Sequence, residues 1–271
     1  MEKRFNHLPL LGASLSRKWM FKHTLTQPHL PAQPDCVFPI VTIENGDVKL
    51  LGTGFYITID GLFVTAKHVL FDVLDMIGTQ VKPISILHFT PNNQYIFRPI
   101  LRSWSHDNAD ISVAVAAPMI HPIKGPLKNG LIPITFEKAA VNDDIVTYAY
   151  PNFNYQRSGK TQMLFFRPEF YDGRIVEHHK NGRDKSRLNW ECYETDMHIH
   201  GGASGGPVIN SKGQIFAINT SSFEPYTNVS YVTPMQFIEE AFVQDAKFDD
   251  ENNPRDVSIK ELIARKSIII E

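Results

Sequence analysis

From Val37 onward the chain is written in short runs of β-branched and aromatic residues, each cut off by turn chemistry. The runs are VFPIVTI (37–43), GFYITI (54–59), LFVTA (62–66), YIFRPIL (95–101), ISVAVA (111–116) and DIVTYAY (144–150), followed by MLFF (163–166), PVIN (207–210), QIFAINT (214–220) and VSYVT (229–233). Runs of this length and composition are strands, and the joints Asp60-Gly61, Asn92-Asn93 and Lys212-Gly213 carry hairpin chemistry. So many short strands require an all-β barrel or sandwich. No Gly-rich phosphate loop and no strand–helix alternation occurs, which speaks against a nucleotide-binding α/β fold. Helical patterning is confined to the end, in PMQFIEEAF (234–242) and VSIKELIARK (257–266).

At 271 residues and 42% hydrophobic, the chain is long enough for one large domain or two small ones sharing a cleft. Residues 1–36 lack clean periodicity and end in a stretch with Pro28, Pro31 and Pro34, so they read as an extension. A first β-half covers 37–118, a proline-rich connector 119–137, a second β-half 138–233, and a helical tail 234–271. The 27 basic and 29 acidic residues are scattered rather than gathered into a stripe, which argues against nucleic acid as a partner. No run approaches ~18 consecutive apolar residues, so no membrane span is expected. The apolar stretch Leu8 to Leu15 is short and broken by Pro9 and Gly12, a poor signal peptide. The two cysteines, Cys36 and Cys192, suit a reducing compartment, with a single bridge between them as the alternative. The expected location is therefore the cytoplasm. Neither thiol reads as a nucleophile, because Cys192 sits in an alternating strand-like stretch.

The sharpest chemical signal is GGASGGPV, residues 201–208. A serine held between glycines can occupy an exposed tight turn, with backbone N–H groups free to face a developing oxyanion. A second signal, GTGFYITIDGLFVTAKHVL (52–70), reads as a hairpin whose second strand delivers His68 at its end. The third is NADISVAV, where Asp110 enters an apolar strand. Such a carboxylate must be paired to tolerate its surroundings, and an imidazole would serve. Asp107 lies outside the apolar run and is the weaker candidate.

Taken together, TAKH, NADIS and GGASGGP, in that order, resemble the trypsin-like serine peptidases, and SGGPVINSKGQIFAINTSS (204–222) is most similar to their HtrA-like bacterial and intracellular branch. The resemblance covers about residues 37 to 240. It implies two six-stranded antiparallel β-barrels of chymotrypsin-like fold, an active site between them, and a C-terminal helix. It also implies a serine endopeptidase with His68, Asp110 and Ser204 as catalytic residues and the N–H groups of Gly202 and Ser204 as oxyanion hole. Substrate-binding positions would be His198, Ile199, His200 and Gly201 upstream of the nucleophile, and Ile218, Asn219, Thr220 and Ser221 on the strand beside the substrate. The partner would be a protein or peptide substrate, with a regulatory protein as a further candidate; no cofactor and no metal is called for. One departure stands out: Ala203 occupies the position where secreted relatives carry an Asp that pairs with a newly cut N-terminus.

Three other readings compete with this one. The G-x-S-x-G elbow of α/β-hydrolases needs a histidine after the serine, yet the last histidine is His200. A metal site drawn from His178, His179, His198 and His200 lacks a matching carboxylate or cysteine cluster in the sequence, and HHKNGRDKSR reads as a polar loop. A trypsin-like fold that binds peptides without cutting them remains the alternative function. As for specificity, His198 and His200 suggest an acidic or polar side chain at the cleavage point.

Overall fold

The computed structural model describes residues 6–7, 19–21, 36–71, 82–89, 95–121, 123, 125–158, 161–222, 229–248 and 250–271. The Asn92-Asn93 joint lies outside them. Strand β1 (Val37–Glu44) turns into β2 (Asp47–Tyr56) through Asn45-Gly46, whose φ values of 52° and 84° are both positive. A two-residue turn of that kind matches the twist of antiparallel strands. Strand β3 (Leu62–Thr65) follows Gly61 (φ 110°) and leads into the short helix α1 (Lys67–Phe71). Strands β4 (Ile84–Phe89), β5 (Tyr95–Ser105) and β6 (Ser112–Ala116) complete the set. Pairing runs β1-β2-β3-β6-β5-β4 and returns to β1, a closed six-stranded antiparallel barrel.

A second barrel of six antiparallel strands closes in the same way. Its members are β7 (Asp144–Ser158), β8 (Thr161–His179), β9 (Cys192–Thr195), β10 (Pro207–Asn210), β11 (Ile215–Ser222) and β12 (Ser230–Pro234). The order is β7-β8-β9-β12-β11-β10, with β10 pairing back to β7. The expected run MLFF is thus a part of β8, in a hairpin far longer than the sequence runs indicated. Closure pairs each strand with a neighbour on both sides over most of its length.

The first barrel is filled by rings. Phe38 packs on Tyr56 at 4.4 Å and edge-on to Phe63 at 5.3 Å. Beside them Arg98 is buried, donating to the Ala117 carbonyl (2.9 Å), the Tyr56 hydroxyl (2.5 Å) and Asn129 Oδ1 (2.7 Å), while Asn129 Nδ2 donates to the Ile59 carbonyl at 2.7 Å. Burial holds the Arg98 guanidinium below its ordinary pKa, and each donor here needs its partner. The connector is therefore tied to the first barrel by Asn129, and its Leu131, Ile132 and Ile134 join the same core. In the second barrel Tyr193 meets Phe216 at 5.9 Å among buried Val208, Ala217 and Val232. One apolar cluster runs from the first barrel through Tyr148 and Tyr150 to Ile215 and Ile218, so the two halves share a core.

The tail departs from expectation. Helix over 234–242 is reduced to a single 3-10 turn, Met235–Ile238, after which Phe242–Phe248 is strand β13. It pairs with β14 (Arg255–Ser258), and helix α2 occupies only Ile259–Ala264. A bulge between Val243 and Ala246, with Asp245 at φ 50°, disguises the strand's alternation in the sequence. The Ser258 hydroxyl caps α2 by accepting the Glu261 N–H at 3.1 Å, and Val257, Ile259 and Leu262 are fully buried in the shared core. Of residues 1–36, Asn6–His7 pairs with Trp104 and Ser105, and Trp19–Phe21 runs parallel to Ala246–Phe248. Both cysteines are buried and unbridged.

Candidate active site between the barrels

The first barrel supplies a histidine and an aspartate. His68 is the second residue of α1, directly after β3. Its backbone N–H donates to Asp110 Oδ1 at 2.9 Å, and its Nδ1 lies 2.7 Å from Asp110 Oδ2. Because an ionised carboxylate only accepts, the Nδ1 carries a hydrogen. The Asp110 side chain is 12% exposed and that of His68 is 43% exposed, so the acid is sheltered while the base faces the cleft. Asp107 is exposed, and its carbonyl accepts from the Lys67 ammonium at 3.1 Å. The turn presenting Asp110 is tied by buried His106, whose Nδ1 accepts the N–H groups of Asn108 (3.1 Å) and Ala109 (2.8 Å). Nothing in the sequence pattern singled out His106.

The second barrel supplies the serine. Ala203 N–H donates to the His200 carbonyl at 3.2 Å, and Gly202 between them has φ 91°. Positive φ at the third residue defines a type II turn, for which glycine is suited. A Cβ on Gly202 would also lie 2.9 Å from the Tyr150 carbonyl. Among the described residues, neither the Gly202 nor the Ser204 N–H is given a hydrogen-bond acceptor. Ala203 is fully buried and its carbonyl accepts Gly206 N–H (3.0 Å) and Asn219 Nδ2 (3.3 Å). The turn is thus shaped by neutral hydrogen bonds, with an apolar side chain where an ion pair was absent from the sequence. Across the barrel boundary, Thr53 donates its N–H to the Ser204 carbonyl at 2.8 Å. Ser204 Oγ itself donates to the Thr220 carbonyl at 3.3 Å.

His68, Asp110 and Ser204 line one pocket of about 560 Å³. Of the residues expected around substrate, Ile199, His200, Gly201, Asn219, Thr220 and Ser221 line it too. Two do not. Ile218 is fully buried in the shared core, paired with Pro207 and Thr233. His198 is exposed beside the pocket, its ring edge-on to His200 at 4.4 Å. Residues 196–200 are not strand, so the two rings do not share a sheet face. Arg187, Leu188, Trp190 and Ser222 complete the lining, and the first three escaped the sequence reading. They come from the segment after β8, which only the fold brings to the serine. On β11, the pairing with β10 ends at Ile218, and Asn219 N–H still bonds Gly206 O at 2.9 Å. Beyond Asn219 that edge has no strand partner among the described residues.

His178 and His179 also differ from expectation, since β8 extends through both and the loop starts after them. His178 Nε2 lies 2.7 Å from Glu191 Oε1 and its ring is 4.4 Å from that of Tyr193. His179 has a carboxylate at each nitrogen, Glu194 at 3.2 Å and Glu177 at 3.7 Å. Glu177, His179 and Glu194 bring ligand atoms within 4.8 Å of one another, a grouping the sequence did not suggest because strand pairing assembles it. Each ring nitrogen of His179 faces a carboxylate. Desolvation pushes the Cys192 thiol up to about 11, which leaves it an inert core residue.

The family model described as the trypsin-like peptidase domain matches residues 52–218, well over half of the chain. No curated protein matches. Among solved structures, Deg5 is similar at 19% identity and TM-score 0.51, over 75% of this chain and 85% of that one. The MamO protease domain from Magnetospirillum magneticum in its apo form is similar at 12% identity and TM-score 0.52, over 76% and 94%. The HtrA-type protease AlgW with tripeptide has 18% identity and TM-score 0.48, over 75% and 57%. At these identities, Deg5 and MamO speak for the fold.

Proposed function

The chain belongs to the trypsin-like peptidase family, and on that footing we propose that it is a serine endopeptidase working through Ser204, His68 and Asp110. The observation that carries this reading is the hydrogen bond of His68 Nδ1 with Asp110 Oδ2 at 2.7 Å, in one pocket with Ser204. Ser204 Oγ attacks the peptide carbonyl as Nε2 of His68 takes its proton. His68 then gives that proton to the departing amine, and water reverses the sequence on the acyl-enzyme. Asp110 keeps the ring in the tautomer that can accept, and stabilises the imidazolium.

The type II turn with Gly202 at φ 91° supports an oxyanion hole made by the N–H groups of Gly202 and Ser204. Each such donor is worth about 10²–10³ in rate. The unpartnered edge of β11 beyond Asn219 suits a substrate added as a strand, held by backbone hydrogen bonds at Thr220 to Ser222. The protein's two buried, unbridged thiols accord with a cytoplasmic setting, which we include in the proposal.

The hydrogen bond of Ser204 Oγ to the Thr220 carbonyl at 3.3 Å favours a second reading, a fold that holds peptides without cutting them. Attack requires that hydroxyl to redirect its proton to His68. Intact-mass labelling with a fluorophosphonate probe separates the two. One adduct on the wild type and none on Ser204→Ala is the expected result. No adduct on either protein overturns the endopeptidase in favour of the binding module.

A further inference from the structure

The motif that delivers His68 also contains Lys67, to which the chemistry above gives no role. Strand β3 ends at Thr65, opposite Ser112, the first residue of β6. The chain leaving β3 therefore runs beside the loop that joins β5 to β6, residues 106–111, and that loop carries Asp110. From α1, Lys67 Nζ donates to the carbonyls of His106 at 2.7 Å and Asp107 at 3.1 Å. The next residue, His68, reaches the same loop through its N–H and its Nδ1, both on Asp110. Two consecutive residues thus hold the loop at its start and near its end.

Between those points the loop is braced from within. His106 N–H donates to the Ile111 carbonyl at 3.0 Å, and Ile111 N–H to the Ala109 carbonyl at 2.9 Å. The buried His106 ring accepts from Asn108 and Ala109 and meets Phe237 edge-on at 5.0 Å. A loop closed on itself moves as a unit, so a tether at His106 and Asp107 sets where Asp110 stands. The donor of that tether is a cation, and charged donors make stronger hydrogen bonds than neutral ones. The ammonium also lies 5.4 Å from the centroid of the Phe71 ring, one turn further along α1. Burial lowers the Lys67 pKa, opposed first by the charge of Asp107 and then by that of Asp110. Among the described residues, Lys67 does not line the pocket.

We propose that Lys67 is a positioning residue, whose ammonium pins the 106–111 loop to α1 and so fixes the Asp110 carboxylate against the His68 ring. It acts through Asp110 and not on the substrate. The catalytic consequence rests on the peptidase reading above; the effect on the hydrogen bond between His68 and Asp110 does not.

Lys67→Met keeps the stem beside Phe71 and removes the donors, whereas Lys67→Arg keeps donors and charge. Circular dichroism checks that both fold. For Lys67→Met a fall of about tenfold or more in kcat is expected, with KM little changed, because a small misplacement of a catalytic group is costly. Lys67→Arg should recover most of that loss. In an Asp110→Asn background, Lys67→Met should change the rate by less than about twofold, because the two residues act as one unit. The Nδ1 proton of His68, read by NMR as a strongly downfield signal, should persist in Lys67→Arg and broaden or vanish in Lys67→Met. A Lys67→Met signal like that of the wild type, or an equal loss of kcat in the Asp110→Asn background, overturns the proposal. If the wild type neither cleaves peptides nor takes the fluorophosphonate label, the endopeptidase reading falls and the Nδ1 signal alone decides the role of Lys67.

Discussion

The Thr53 hydroxyl donates to the Gly202 carbonyl at 2.8 Å, a bond between residues 149 apart in sequence. The same hydroxyl accepts the Tyr150 N–H at 3.1 Å, the Thr53 N–H holds the Ser204 carbonyl at 2.8 Å, and Thr65 Oγ1 donates to the Thr53 carbonyl at 2.7 Å. One fully buried threonine of the first barrel thus holds the carbonyls of Gly202 and Ser204, on either side of Ala203 in the second.

Replacing Thr53 by Val keeps the shape and removes the hydroxyl, leaving the Gly202 carbonyl and Tyr150 N–H unsatisfied. Thr53→Val should lower stability by about 1–3 kcal/mol and reduce kcat by roughly tenfold or more while KM changes little, because an oxyanion donor misplaced by a fraction of an ångström weakens the transition state selectively. Thr53→Ser should restore kcat. Unchanged kcat in the valine variant would show that the clamp is structural only.

Asp110→Asn has a sharper consequence. Its amide oxygen can still accept the His68 N–H, which turns the amide nitrogen toward Nδ1. That nitrogen must then accept, and the ring hydrogen moves to the side facing Ser204, where a base is needed. A loss of about 10⁴ in kcat is expected, with the fold intact by circular dichroism. Peptide hydrolysis and probe-labelling rates both report it; a loss under tenfold would remove Asp110 from the mechanism.

Acid sensitivity should reside partly in His88. Burial, and next the neighbouring Arg98, depress its pKa from 6.5 to about 4. Between those values the unfolded chain binds the proton and the folded one does not, so stability rises with pH. The stabilisation is present above 6.5 and is lost as pH falls toward 4, by at most about 3 kcal/mol. Urea unfolding from pH 7 to 4 should show a shallower decline in His88→Gln than in the wild type. Parallel curves would exclude this histidine as a source.

Asn129→Ala removes the Oδ1 acceptor that Arg98 Nη1 has beside the Tyr56 hydroxyl, and the side-chain donor that the Ile59 carbonyl has beside the Asn129 N–H. A cost of about 1–3 kcal/mol per buried group left unmade predicts a clearly lowered thermal midpoint. Fluorophosphonate labelling at 20 °C should be unchanged, because the site lies on other elements. Equal midpoints would mean that water replaces the side chain.

Composition, turn residues and strand-like runs determined most strands of both barrels, though not β4 (Ile84–Phe89), and the residue types that meet at the site, because each is a local property. A carboxylate entering an apolar strand announces that it has a partner, and a serine between glycines announces a tight turn. Even so, Asn45-Gly46 carries the same hairpin chemistry as Asp60-Gly61, while the spacing over 234–242 looks helical yet forms only the single turn Met235–Ile238. Only tertiary structure decided that Thr53 clamps the nucleophile turn, that His106 shapes the Asp110 turn, that Arg187 faces the pocket, and that Ile218 and His198 stay out of it. Those assignments depend on barrel closure and on hydrogen bonds between distant segments. No local pattern encodes them, because their energies appear only once two remote pieces of backbone are held side by side.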